Sequence, residues 1–216
     1  MIDESMTGDL QSSDAVEGML LFWFGPLEGA NDFPTDRKKL WWMADDATDA
    51  DIRERFGALV ERALAGELTQ WCQTARGTLA LVLLLDQCTR SLGRGDGAAF
   101  AGDERAQALV AEAIEAGTDR ELRFIERSFL YMPLMHAESK VMAQRSLDVF
   151  GALSKQIKET GGEGHPDFLS PARTHADIVL QFGRYPHRNA IVGRESTAEE
   201  LEYLAQNDVS FGQSKR

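Results

Sequence analysis

An all-α fold is predicted for this chain by three observations. Apolar residues recur at helical spacing in segment after segment, caps and stops punctuate those segments, and no stretch alternates as a half-buried strand does. About eight to ten helices joined by short loops predict antiparallel helix pairs packed into an array. The 216 residues suit one domain with a full core, set at residues 14–206 between polar, flexible tails over 1–13 and 207–216.

Ser13 caps a helix through Val16, Met19, Leu20 and Trp23, which Gly25-Pro26 ends. Pro34 suits a first helical turn, and the helix it opens carries Leu40, Trp41 and Trp42; that Trp pair reads as core or as a dimer face. Thr48 with Asp51 reads as a capping box using Asp for Glu, opening a helix with Ile52, Phe56, Leu59, Val60, Ala63 and Leu64 that Gly66 stops. Thr78 caps the most apolar segment, Leu79 to Arg90. Its first two turns are apolar all round, which predicts a central helix buried on every side. Gly93, Gly95 and Gly97 make a loop, a helix over 103–116 ends at Gly117, and a short helix over 120–127 follows. The longest helix is predicted from Pro133 to Glu159, stopped by Gly161-Gly162. Ser170-Pro171 opens a helix to Phe182, and Thr197 with Glu200 is a capping box for a last helix to Ala205. No repeat recurs at a fixed period, although Ala106 to Ala116 carries a small-residue pattern found in helical repeats.

The composition, 43% apolar and 27% charged, is ordinary for a soluble globular chain. With 35 Asp and Glu against 23 Lys and Arg, the net charge is -12, which argues against nucleic acid and against anionic lipid as partners. Residues 1–13 lack the basic and apolar regions of a secretion signal. The longest apolar run, Leu79 to Leu85, is far short of a membrane span, so a cytoplasmic protein is expected. Cys72 and Cys88 sit in no metal-binding spacing and predict two buried thiols in a reducing compartment.

Three polar features fall where a core is expected. Asp86 follows the apolar run, and Arg90 shares its helix face four positions on, with Arg94 extending the line. A buried carboxylate without a cation is costly, so this pair reads as a buried salt bridge or as the lining of a site. In the predicted long helix Met135, Met142, Val149 and Leu153 share a face with Glu138 at its middle and Arg145 two turns on. His136 faces the other way, beside Lys140, Ala143 and Leu147. Glu138 therefore needs a cation from another element. His136 reads as a hydrogen-bonded histidine under a neighbouring helix, at the wrong spacing from Glu138 to chelate a metal with it. His175 lies on one stripe with Ile178, Val179 and Phe182 and reads either as a core histidine or as the wall of a pocket.

The segment Phe182-Gly-Arg-Tyr-Pro-His-Arg-Asn189 concentrates positive charge against this acidic background. No Asp or Glu occurs from Ile178 to Arg194, yet Arg184, His187, Arg188 and Arg194 do. Gly183 and Pro186 fix a turn from which these side chains project. A guanidinium fork binds carboxylate or phosphate in two contacts, so the turn either braces Asp86 and Glu138 or forms a preformed anion site.

Trp23-Phe24-Gly25, Asp86-Gln87 with Arg90, Arg94-Gly95 with Ala99-Phe100, Met132-Pro133-Leu134 with His136 and Glu138, Phe182 to Asn189, and Gly193-Arg194 with Ser196-Thr197 appear in order. Over residues 14–205 the chain resembles the bacterial domain of unknown function 924. The resemblance implies a tetratricopeptide-like helical array and no established activity. The family usually reads Asp-Gln-Phe-Pro-Arg-Asn where this chain has Asp86-Gln87-Cys88-Thr89-Arg90-Ser91. It usually reads His-Ser-Glu-Asp where this chain has His136-Ala137-Glu138-Ser139.

Three functions follow. In the first, an internal pocket binds or acts on a small anionic metabolite, a carboxylate or phosphate. His136, Glu138 and His187 serve as proton-transfer residues, and Arg90, Arg94, His175, Arg184, Arg188 and Asn189 hold the substrate. This reading expects Arg184, Arg188, His136 and Glu138 to converge in one cavity. In the second, the protein is a tetratricopeptide-like scaffold for a protein or peptide partner, or a homodimer, and the polar cluster is internal bracing. The third, a metal enzyme using His136, His175, His187, Asp86 and Glu138, has no supporting ligand spacing, so no metal and no cofactor is expected.

Overall fold

The computed structural model describes residues 4–43, 45–162, 164–207 and 211–212, and every regular element among them is helical. The α-helices are α1 (Glu4–Phe24), α2 (Lys38–Trp42), α3 (Asp46–Leu64), α4 (Ala75–Val82), α5 (Thr89–Leu92), α6 (Asp103–Ala116), α7 (Phe124–His136), α8 (Lys140–Glu159), α9 (Leu169–Phe182) and α10 (Ala198–Gln206). A π-helical turn, Leu83–Cys88, joins α4 to α5 without a break. No described helix is long and apolar enough to cross a membrane.

The all-apolar run sits at the centre, as its lack of a polar face demands. Leu79 through Leu85 are wholly buried. α1, α3, α6 and α7 pack around α4 and its π-turn. Burying each such Leu is worth about 1.5–3 kcal/mol, so this helix anchors the core. α7, α8 and α9 pack in succession, and a smaller cluster of Ala143, Ala176, Val179 and Tyr185 seals α8, α9 and the turn that follows.

Several boundaries differ from the sequence reading. α1 begins at Glu4 rather than Ser13, and ends at Gly25, whose φ is 70°. Asp45, not Thr48, caps α3, accepting the Thr48 amide at 2.7 Å. Thr74, not Thr78, caps α4, accepting the Gly77 amide at 3.0 Å. Gly77 lies in the first turn of α4, packed so closely on the preceding 3-10 turn that a Cβ there would stand 2.0 Å from the Trp71 carbonyl oxygen. Cys88 is buried as expected, but Cys72 is exposed. The tail positions 1–3, 208–210 and 213–216 lie outside the described residues.

The largest difference is at the predicted 133–159 helix, which is two helices. α7 runs through Pro133 to His136, Ala137 is extended, and Ser139 caps α8 by accepting the Met142 amide at 3.4 Å. Tertiary bonds hold the chain open there. The Tyr185 hydroxyl donates to the Met135 carbonyl, an acceptor that a continuing helix would use itself. Glu138 accordingly sits in a turn between helices, not on the apolar face of one.

Candidate functional site

A cavity of about 460 Å³ opens between α1, α2, the π-turn, α7 and α9. Trp23, Trp41 and Trp42 form one wall, and Met132, Met135 and Phe168 line it further. Trp41 is nearly buried and Trp42 is half exposed, so the pair bridges core and cavity mouth. The Trp41 indole donates to the Trp23 carbonyl at 2.9 Å. Trp23 is buried, yet its own indole N–H has no hydrogen-bond partner among the described residues.

The polar end of the cavity is built on the π-turn. A π-turn widens the helix by one residue and is often found at functional sites. Here it carries Asp86 and Gln87. Asp86 is fully buried and accepts from Gln87 Nε2 at 2.6 Å. His136 Nδ1 stands 2.8 Å and 3.0 Å from its two oxygens, and Arg90 Nη2 stands 3.1 Å from Oδ1. Burial alone would raise the Asp86 pKa, but Arg90 and His136 outweigh it and hold the carboxyl well below the usual range. An ionised carboxylate only accepts, so His136 Nδ1 carries the proton. Burial lowers the His136 pKa despite the pull of Asp86. The ring is thus neutral at pH 7, with Nδ1 fixed by Asp86 and Nε2 left with its lone pair. Arg90 is the cation that keeps Asp86 charged. It also donates to Asp103 Oδ1 at 2.9 Å and to the Ala99 carbonyl at 3.0 Å.

His175 and Arg94 stand at the mouth. The His175 Nδ1–H donates to the Pro171 carbonyl at 2.9 Å, one helical turn back, and burial drives its pKa down to about 3. Its ring centroid is 5.8 Å from that of His136. Arg94 does not extend the Asp86-Arg90 line. It turns to α3 and grips Asp49 through Nε at 2.7 Å and Nη2 at 2.8 Å, while Nη1 donates to the Gly212 carbonyl.

The cation-rich turn lies behind this cavity rather than in it. Arg184 forms a two-point pair with Glu200 at 2.6 Å and 2.8 Å and also donates to the Glu195 carbonyl at 3.1 Å. Asn189 donates to Ser196 Oγ at 3.0 Å and to Glu200 at 3.2 Å. Both therefore dock α10. Glu138 is held by Arg194 at 2.6 Å and 2.7 Å and by the Tyr185 amide at 2.8 Å. Arg188 is buried, with its guanidinium 4.4 Å from the Phe100 ring centre and 4.5 Å from that of Tyr185. It reaches Asp103 at 3.4 Å, and burial together with nearby Arg90 lowers its pKa. His187 packs on Tyr185 at 5.4 Å, and burial pushes its pKa down to about 4.

The expected convergence of Arg184, Arg188, His136 and Glu138 in one cavity is therefore corrected. Of the nine residues singled out in the sequence, Arg90, Arg94, His136 and His175 line the cavity; Arg184, Arg188, Asn189, His187 and Glu138 do not. The Asp86–Arg90 pair forms as expected, but Arg184 takes Glu200, and Glu138 takes Arg194. Among the described residues, no group of three or more His, Cys, Asp or Glu side chains is placed to hold a metal ion. The sequence reading missed the tryptophan wall, although Trp41-Trp42 was visible as an apolar pair. It also missed Asp103, which looks like an ordinary helix-start acid.

Fold and site together define an all-helical protein with an aromatic cavity and a buried carboxylate–imidazole pair in its wall. The chain belongs to the family described as bacterial protein of unknown function (DUF924), whose model matches residues 19–208. A solved structure of a protein of unknown function, ATU0120 from Agrobacterium tumefaciens, is 33% identical with a TM-score of 0.76. The match covers 91% of this chain and 99% of that one. A comparison with curated proteins returned no match.

Proposed function

We propose that this protein binds a small, largely apolar molecule in the tryptophan-walled cavity and that His136 exchanges a proton with it. The observation that carries this reading is the Asp86–His136 pair. A fully buried carboxylate fixes one imidazole nitrogen, in a ring that lines a cavity poor in polar atoms. A positioned neutral imidazole with its second nitrogen unprotonated is a general base, and the protonated form returns the proton as an acid. Asp86 orients the ring and stabilises the imidazolium as it forms.

The ligand's polar group, a carboxylate or phosphate among them, would meet Arg94 Nη1 in place of the Gly212 carbonyl. Arg90 is engaged by Asp86 and Asp103, which leaves it a supporting role. Glu138, His187, Arg184, Arg188 and Asn189 brace the wall behind. The two free thiols fit a reducing, cytoplasmic setting. A peptide-binding scaffold is the competing reading, favoured by the internal pairing of Arg184 with Glu200 and of Arg194 with Glu138.

Base-promoted ring opening of a nitrobenzisoxazole tests the proposal, since that planar probe needs only a general base in an apolar pocket. The base removes the ring C–H proton, the N–O bond breaks, and a cyanophenolate leaves. Turnover by the full chain, rising with pH through the His136 ionisation and lost in His136→Gln, is expected. Binding seen as a change in tryptophan fluorescence, but without turnover above buffer, would remove the proton-transfer role. Insensitivity of fluorescence and melting temperature to this probe and to small carboxylates and phosphates would leave the scaffold reading.

A further inference from the structure

Phe211 and Gly212 stand at the cavity mouth. The Phe211 ring stacks on His175 with centroids 3.9 Å apart and planes at 29°, and meets His187 at 5.3 Å and Tyr185 at 6.2 Å. The Gly212 carbonyl accepts from Arg94 Nη1, the edge of that guanidinium that Asp49 does not engage. The segment thus presents an aromatic ring and an acceptor oxygen to two side chains that are independently locked, His175 by the Pro171 carbonyl and Arg94 by Asp49.

Phe211 is not held as a core residue. It is 40% exposed, where the core rings of Phe129 and Phe150 are each 1% exposed. Its φ of 46° is left-handed, the one such value for a non-glycine residue among those described, and a conformation disfavoured for a bulky side chain. Stacking on a neutral imidazole adds only a modest attraction. These are the features of an occupant that leaves easily.

We infer that His175 and Arg94 form a subsite for an aromatic ring bearing a carbonyl or carboxylate oxygen, and that Phe211–Gly212 fills it from within the chain until such a ligand displaces it. The inference rests on the reading of the cavity as a small-molecule site and names its ligand class. A ring in this subsite stands beside His136, whose centroid is 5.8 Å from that of His175. The segment therefore competes for the ground next to the proposed base.

The test uses the full chain, wild type and Phe211→Ala, titrated with phenylacetate and phenylacetamide and followed by tryptophan fluorescence. Removing an internal competitor raises apparent affinity, so Phe211→Ala should bind both probes severalfold more tightly. Arg94→Lys in that background should weaken both by about tenfold, the loss of one charge-assisted hydrogen bond. A preference for phenylacetate identifies a free carboxylate ligand, and equal binding identifies a carbonyl such as an amide; either supports the subsite. A fluorinated phenylalanine at position 211 of the otherwise unchanged chain gives a second readout, its fluorine NMR signal moving to a solvent-exposed shift as probe binds. Equal or weaker binding by Phe211→Ala, or cyclohexylacetate binding as well as phenylacetate, overturns the inference. If neither phenyl probe binds while the nitrobenzisoxazole is still turned over, the subsite falls and the cavity reading stands. If the nitrobenzisoxazole neither turns over nor changes the tryptophan fluorescence, both fall.

Discussion

His136 Nδ1 lies 2.8 Å from Asp86 Oδ1, a contact between the end of α7 and the π-turn across 50 residues of chain. It decides the protonation of both partners. The buried carboxylate stays ionised beside Arg90 and requires a donor, so the imidazole must present Nδ1–H and keep Nε2 unprotonated.

Asp86→Asn keeps the shape of this contact and removes its charge. Arg90 then faces Asp103 alone within the buried cluster. Breaking a buried ion pair on one side costs about 3–5 kcal/mol, and a loss near the lower end is expected because Asp103 remains. The His136 pKa should fall further, since the nearest anion is gone. Urea denaturation and nitrogen NMR of the His136 ring measure both. A variant as stable as wild type, with an unshifted ring, would contradict the assigned pairing.

Arg194→Ala and Glu138→Gln test whether the second carboxylate is bracing or site. Both side chains keep about a quarter of their surface in water, 28% and 26%, so solvent screens the pair in part. A double-mutant cycle should give a coupling of about 1 kcal/mol, with ligand-induced change in tryptophan fluorescence unaltered. Loss of probe binding in either single variant would return Glu138 to the site.

The histidines make stability depend on pH in a definite direction. All four are held below their ordinary value by burial, His175 at about 3 and His187 at about 4. The unfolded chain takes up these protons near pH 6.5, and the folded chain only at lower pH. Between about pH 6.5 and 4 the unfolded state therefore binds more protons, and stability rises with pH. It is complete above that window and lost as pH falls, by up to about 1.4 kcal/mol per pH unit for each such group. Below about pH 4 protonation of Asp86 adds to the loss. Unfolding curves at pH 7.5, 6, 5 and 4 check this, and a flat profile from 7 to 5 would sink it.

Gly102→Ala probes the π-turn itself. Gly102 has an ordinary φ of -95°, so backbone freedom is not its reason. A Cβ there would lie 2.2 Å from the Leu85 carbonyl oxygen, immediately before Asp86. Overpacking against backbone costs about 1–3 kcal/mol, and the upper end is expected because a carbonyl cannot rotate aside. Differential scanning calorimetry should show the loss, and probe turnover should drop with it. A neutral substitution would show that the turn can yield.

Much of the site was legible in part. The Asp86–Arg90 pair follows from i,i+4 spacing in an apolar helix, and it forms at 3.1 Å. The Thr197–Glu200 capping box is present as read, and Gly117 and Gly183 end their helices at φ 75°. Glu138 was misplaced because periodicity alone carries a helix through 137–139. The bond from the Tyr185 hydroxyl to the Met135 carbonyl that interrupts it comes from 50 residues away. The surplus of cations at 184–194 was real, but Glu200, the partner of Arg184, looked like nothing more than half of a helix cap.

Local order along this chain is determined by the sequence alone: an all-helical architecture, a central helix over the apolar run, and most helix stops. Period, capping and glycine conformation act within a few residues, so they can be read without neighbours. Which carboxylate takes which cation was decided only by the tertiary structure. Asp86, Asp103, Glu138 and Glu200 are equivalent as letters, and so are Arg90, Arg184, Arg188 and Arg194. Pairing energy depends on distance and burial, and both are set by how α7, the π-turn and the 183–194 segment are brought together. The same packing leaves the tryptophan wall facing a cavity rather than a core, and places His136 within it.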